Sequence, residues 1–147
     1  GMLSASFYWV GSESHILNTD PTYYFNYNES IPIEKRIQTV KEWLDKPADT
    51  RPHFITFYFP QVDHALNKYG EDSKEAADAA LFVYSSMQSL YNTVSQTGLP
   101  VDFICVSDHG MMNTYGDGQI PKPAAIDTSK FKYAESSTIV LLYAKSS

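Results

Sequence analysis

The sequence predicts an α/β fold built on a mostly parallel sheet, and three observations carry that prediction. Two apolar runs, PHFITFYF (52–59) and VDFICV (101–106), are nearly continuous in Val, Ile and Phe, as strands covered on both faces are. Between them lies the clearest helical periodicity of the chain, with Ala76, Ala80, Val83, Met87, Leu90 and Val94 spaced by threes and fours. Strand, helix and strand in that order imply a crossover and two parallel strands in one sheet.

Taken in order, ASFYW (5–9) reads as a short strand that ends near Gly11. Residues 14–31 are rich in Tyr, Asn, Pro and Thr and read as an irregular loop. Pro32 suits a first helical turn, and Ile33, Ile37, Val40 and Leu44 then form one apolar stripe. Lys46-Pro47 closes that helix. The run 52–59 reads as a strand, and VDHALNKYG (62–70) as the loop after it. Asp72 and Glu75 have capping-box spacing for the long helix, whose stripe, Met87 included, reads as core. Gly98 and Pro100 end it. The run 101–106 reads as a strand leading straight into SDHGM (107–111). Residues 113–147 change character, and STIVLLYA (137–144) reads as a strand of an element the sequence does not complete.

With 147 residues, 43% hydrophobic and 14% aromatic, the chain suits one domain with a real core. Its net charge of −6 and scattered Lys and Arg argue against a broad nucleic-acid-binding face. A small phosphorylated ligand is compatible with that charge if a metal or backbone N–H groups neutralise it. The single cysteine, Cys105, excludes a disulfide scaffold and reads as a small buried hydrophobe. No run reaches the ~18–20 apolar residues of a membrane span, and no signal peptide is recognised. Gly1 before Met2 reads as a tag remnant.

Open α/β sheets bind ligands at the carboxyl ends of their strands. Asp63 follows the first apolar run and Asp108-His109 the second, so neighbouring strands would bring the three to one edge. These are ligand types for a Zn²⁺-like ion, which wants four of them. Gly110 permits the bend that lets adjacent residues face one ion, although on spacing alone the pair also suits a polar strand cap. His64 is next to Asp63, and Asn67 lies four residues on. His15 and His53 read as surface or packing groups.

Taken together, SFYWVGSE (6–13), NYNESIPIEKRIQTVKEWL (26–44), RPHFITFYF (51–59), VDHALNKYG (62–70) and VSDHGM (106–111) resemble the nucleotide pyrophosphatase/phosphodiesterase (type I phosphodiesterase) family of the alkaline phosphatase superfamily. The resemblance runs in order over residues 5–112. It implies an alkaline-phosphatase-like three-layer sandwich, a mostly parallel sheet with helices on both faces. Residues 3–112 would be the central to C-terminal part of the catalytic domain, and 113–147 the start of a further strand-containing segment. It also implies two zinc ions, a threonine nucleophile, and hydrolysis of phosphodiester or pyrophosphate bonds of nucleotides through a phospho-threonine.

By that resemblance Asp63 ligates one zinc, and Asp108 and His109 the other. Trp9 and Tyr27 fall where the family stacks a nucleotide base, with Val10 where eukaryotic members have Pro. The alternative use of both rings is to pack the loop 14–31 onto the sheet. The family's next histidine ligand is replaced by Asn67, flanked by Leu66 and Glu71 in place of Gly and Pro. His64 reads as a neighbour of the site more than as a replacement ligand. The threonine would lie before residue 1 and a distal histidine after residue 147, so no catalytic residue is assigned in this sequence. The alternative reading is a non-catalytic member that binds a nucleotide, a metal weakly, or another protein. A phosphomonoesterase or sulfatase-like relative is a third. The expected partner is a nucleotide or other small phosphodiester, not a nucleic acid polymer. Export to the periplasm or outside is expected if an upstream segment carries a signal peptide.

Overall fold

The computed structural model describes residues 1–112, 126–136 and 139–145. The chain divides into two units, Gly1–Asn113 and Thr114–Ser147. The first unit is built on three parallel strands: β1 (Ser4–Phe7), β2 (Tyr23–Phe25) and β3 (Phe54–Phe57), in the order β2-β1-β3. The register puts Phe7 opposite Phe25 on one side and Phe57 on the other. Side chains alternate along a strand, so Ala5 and Phe7 share one face and Ser6 the other. The Phe7 face is the core. It is covered by Val40, Trp43 and Leu44 of α1 (Ile33–Leu44) and by Val94 near the end of α3 (Lys74–Ser95). On the opposite face the Thr56 hydroxyl donates to Ser6 Oγ at 3.0 Å.

α1 begins where its sequence directs, with Pro32 at the N-cap and Glu34 in the first turn, where a carboxylate favours the helix dipole. β2 was not expected. Three residues, YYF, pair with β1 inside the loop read as irregular, because an aromatic triplet beside an apolar strand finds its partner only in space.

Three further expectations are corrected. The stretch read as a loop, 62–70, is helical: α2 spans Gln61–Tyr69 and stops at Gly70, whose φ of 84° ends the helix. The long helix is capped by Ser73, not by Asp72. The Ser73 hydroxyl accepts from the Ala76 backbone N–H at 3.1 Å, and the expected Asp72–Glu75 box is one residue out of phase. The helix stripe is buried at Ala76 and Val94, whereas Ala80 is exposed. The third correction concerns 101–106, which pairs with no strand among the described residues. Ile104 is 86% exposed, and Cys105, expected in a core, is exposed as well. An apolar run becomes a strand only when a neighbour satisfies its backbone. The edge of β3 away from β1 carries no such neighbour among the described residues.

The cap makes a first testable point. Ser73→Ala is expected to cost about 1 kcal/mol of stability. Urea denaturation followed at 222 nm would measure it, and Asp72→Ala should leave the midpoint almost unmoved.

In the second unit β4 (Phe131–Ser136) pairs antiparallel with β5 (Ile139–Ala144), Phe131 opposite Ala144 and Ser136 opposite Ile139. The strand expected at 137–144 therefore exists from Ile139. Ser137 and Thr138 lie outside the described residues, as do 113–125. β5 is exposed along its whole length.

Candidate functional site

Because the three strands are parallel, their carboxyl ends lie at one edge, and the segments leaving that edge build the site. Tyr8 and Trp9 follow β1, the turn 26–31 follows β2, and Tyr58 to Pro60 follow β3. α2 starts at once after Pro60, which sets Asp63 in its first turn beside the edge.

Four of these side chains form an aromatic group. The Tyr58 ring lies 6.1 Å from Trp9 and 6.4 Å from Tyr27, and Tyr8 packs 5.1 Å from Tyr27. Trp9 and Tyr27 are 39% and 40% exposed, so each shows a face to solvent while Tyr58 sits between them. Tyr27 also packs its loop onto the end of β1 through buried Tyr8, which is the loop-packing use of that ring.

Beneath this group is Arg36, only 1% exposed. Its guanidinium lies 4.2 Å from the Tyr8 ring centroid and 4.4 Å from that of Phe57, and it donates to the Tyr58 carbonyl. A buried cation over ring faces is held by their quadrupoles. Burial still pulls its pKa down, partly offset by Tyr8 and Tyr27. Arg36 thus ties α1 to the ends of β1 and β3.

The ionisable groups lie on the solvent side of Tyr58. Burial raises the Tyr58 phenol pKa, and the carboxylates of Asp108, Asp63 and Glu29 add to it. His109 Nε2 lies 3.9 Å from Asp63 Oδ1 and 3.6 Å from Asp108 Oδ2. His109 Nδ1 lies 3.0 Å from the Gly110 carbonyl. A carbonyl oxygen only accepts, so Nδ1 is a donor in that contact. The two aspartates and the histidine, 45 residues apart in sequence, thus meet at one edge even though 101–106 forms no strand.

Asp63, Asp108 and His109 are side-chain types that zinc accepts as ligands. Three donors do not complete a four-ligand set, and no group of three or more His, Cys, Asp or Glu converges well enough to hold a metal among the described residues. The Asn67 side-chain N–H donates to the Asp63 backbone carbonyl at 2.9 Å, one turn back along α2. His64 Nδ1 lies 3.2 Å from Glu29 Oε2. His15 pairs with Asp20 on an exposed loop, and the His53 backbone N–H donates to the Leu3 carbonyl.

Sequence reasoning missed three residues. Tyr58 was hidden in an aromatic run, although its place at a strand's carboxyl end was a signal. Arg36 lies on the apolar stripe of α1, three residues after Ile33 and four before Val40, where a cation is out of place unless it is used. Glu29 stands in a polar loop and gave no signal.

The whole chain, residues 1–147, matches the family model described as type I phosphodiesterase/nucleotide pyrophosphatase. Among curated proteins it is 38% identical over 113 residues to venom phosphodiesterase 2 of Crotalus adamanteus, covering 76% of this chain and 14% of that protein. It is 37% identical over 113 residues to ectonucleotide pyrophosphatase/phosphodiesterase family member 1 of Homo sapiens, covering 76% of this chain and 12% of that protein. Among solved structures, murine ectonucleotide pyrophosphatase/phosphodiesterase 5 superposes with a TM-score of 0.72 at 24% identity, over 99% of this chain and 39% of that one. An inactive form of the same murine protein, in complex with AMP, superposes with a TM-score of 0.71 at 23% identity, over 99% of this chain and 39% of that one. The chain thus spans well under half the length of the proteins it resembles.

Proposed function

Since the chain belongs to the type I phosphodiesterase/nucleotide pyrophosphatase family, we propose that it forms part of a domain that binds a nucleotide and hydrolyses its phosphodiester or pyrophosphate bond. One observation carries this reading. The rings of Trp9, Tyr27 and Tyr58 group at the same sheet edge as Asp63, Asp108 and His109, and in this reading they form the slot for a base. A base stacked in the slot sets its phosphate towards the carboxylate edge. There a net-negative pocket repels it unless a cation intervenes.

In this reading Asp63, Asp108 and His109 are part of the ligand set of a two-zinc centre, and the remaining ligands come from outside the described residues. Zinc bound there would neutralise the phosphate and lower the cost of attack on phosphorus. The residues of this chain bind and orient: rings for the base, a His109 imidazole held through Nδ1 by the Gly110 carbonyl, and Arg36 as the support of the Tyr58 backbone.

AMP, held by the murine relative, is the natural probe. Calorimetric titration of the chain with AMP and with adenosine, each with and without Zn²⁺, tests the reading. Zinc should strengthen AMP binding and leave adenosine unchanged. If AMP and adenosine bind alike in every condition, the phosphate has no site and the reading fails. A second reading, nucleotide binding without hydrolysis, is favoured by Asn67, a neutral amide where the resemblance implies a ligand histidine. Zinc-independent binding of AMP would select it. In either case Tyr27→Ala should weaken AMP binding roughly tenfold, because ring stacking contributes about 1–3 kcal/mol per base.

A further inference from the structure

Glu29 stands on a tight turn between β2 and α1. Asn28 Oδ1 accepts from the Ser30 backbone N–H at 3.0 Å and from its hydroxyl at 2.7 Å, and this fixes the turn. From there the Glu29 carboxylate reaches two other parts of the site. Oε1 accepts from the Tyr27 hydroxyl at 2.9 Å, and Oε2 lies 3.2 Å from His64 Nδ1 on the first half of α2. We propose that Glu29 is a positioning residue that locks the Tyr27 ring to the helix carrying Asp63, so that the base slot and the phosphate edge keep one spacing. The proposal rests on the nucleotide-binding reading for its consequence, and on Tyr27, Glu29 and His64 alone for its geometry.

A half-exposed tyrosine ring at a loop can leave its position by rotating about χ1, and a bond to its hydroxyl, which lies at the far end of the ring axis, fixes where the ring sits. The hydroxyl donates to a carboxylate, and charge-assisted bonds of this kind are roughly twice as strong as neutral ones. Burial, then the bond to Glu29 and its charge, hold the Tyr27 phenol far above its ordinary pKa, as expected when a proton sits between the ring and a carboxylate. The same carboxylate is shared with His64, whose neighbour in sequence is Asp63. His64, set aside as a ligand, thus gains a use that its direction explains.

The test uses the chain in the absence of ligand and then with AMP. Tyrosine labelled with ¹³C at Cζ gives a resonance for Tyr27, identified by its loss in Tyr27→Phe. Glu29→Ala should move that resonance, and His64→Ala should move it to a smaller degree although His64 does not touch the ring. Glu29→Ala should also weaken AMP binding roughly three- to tenfold, the range for one lost hydrogen bond of ordinary strength, with an unchanged melting temperature. Glu29→Gln, whose amide oxygen can still accept from Tyr27, should recover most of the affinity. The tether is overturned if the Tyr27 resonance is unmoved in Glu29→Ala. It is overturned as a positioning device if the resonance moves while AMP affinity stays the same. Should the parent chain bind no AMP, the functional reading fails, and the response of Tyr27 to His64→Ala then decides the tether by itself.

Discussion

Phe7→Ala is expected to destabilise the first unit by about 3–5 kcal/mol, the range for truncating a fully buried phenylalanine. Phe7 has 0% exposure. Its ring stacks on Phe25 at 4.7 Å and 17°, meets Phe57 at 5.7 Å, and faces Trp43 at 6.1 Å. It is therefore the point at which all three strands and α1 join. A small domain has only about 5–15 kcal/mol of net stability, so the loss should remove a large share of the folded population. Urea denaturation of the two chains, compared at a common slope, measures it. Phe7→Leu, which keeps most of the volume, should cost less than half as much. Equal losses for Ala and Leu would mean that ring geometry, and not filled volume, holds the sheet together.

Arg36→Ala should cost roughly 3 kcal/mol, from three sources. A desolvated cation–π contact contributes about 2 kcal/mol, the hydrogen bond to the Tyr58 carbonyl about 1, and the emptied stem leaves a void. Against these stands the cost of keeping a guanidinium dry, which Ala removes. Arg36→Met separates the terms, since Met fills the stem but carries no charge. It should fall between the parent and Arg36→Ala. If Met restores parental stability, the buried charge contributes nothing to folding. The near-UV circular dichroism of Tyr58 and its neighbours should weaken in Arg36→Ala, because the strand end they sit on loses its anchor. AMP binding should then weaken too, although Arg36 is buried beneath the slot.

Much of the local structure was legible from period and caps. Ile33, Ile37, Val40 and Leu44 marked α1, and the spacing from Ala76 to Val94 marked α3, because helices are held by bonds between near neighbours in sequence. The run 52–59 marked β3. α2 was not legible. Its nine residues are half polar, and its start depends on Pro60 leaving β3 at a particular angle. The run 101–106 misled for the opposite reason: its composition is that of a strand, but pairing is a property of what lies beside it.

The site divides in the same way. The gathering of Asp63, Asp108 and His109 at one edge was legible from their place after apolar runs, and the order of motifs was enough to name the family. That much the sequence determined by itself, because residue type and motif order are written in it. The tertiary structure alone decided that His109 Nε2 faces both carboxylates, that Asn67 bonds its own helix, and that His64 answers Glu29. It alone put Arg36 under Tyr58 and Tyr58 between Trp9 and Tyr27. Each of these contacts depends on a side-chain direction, and most join segments separated by twenty residues or more. A periodicity reports which face a residue occupies, and only the packed chain selects which atom it meets there.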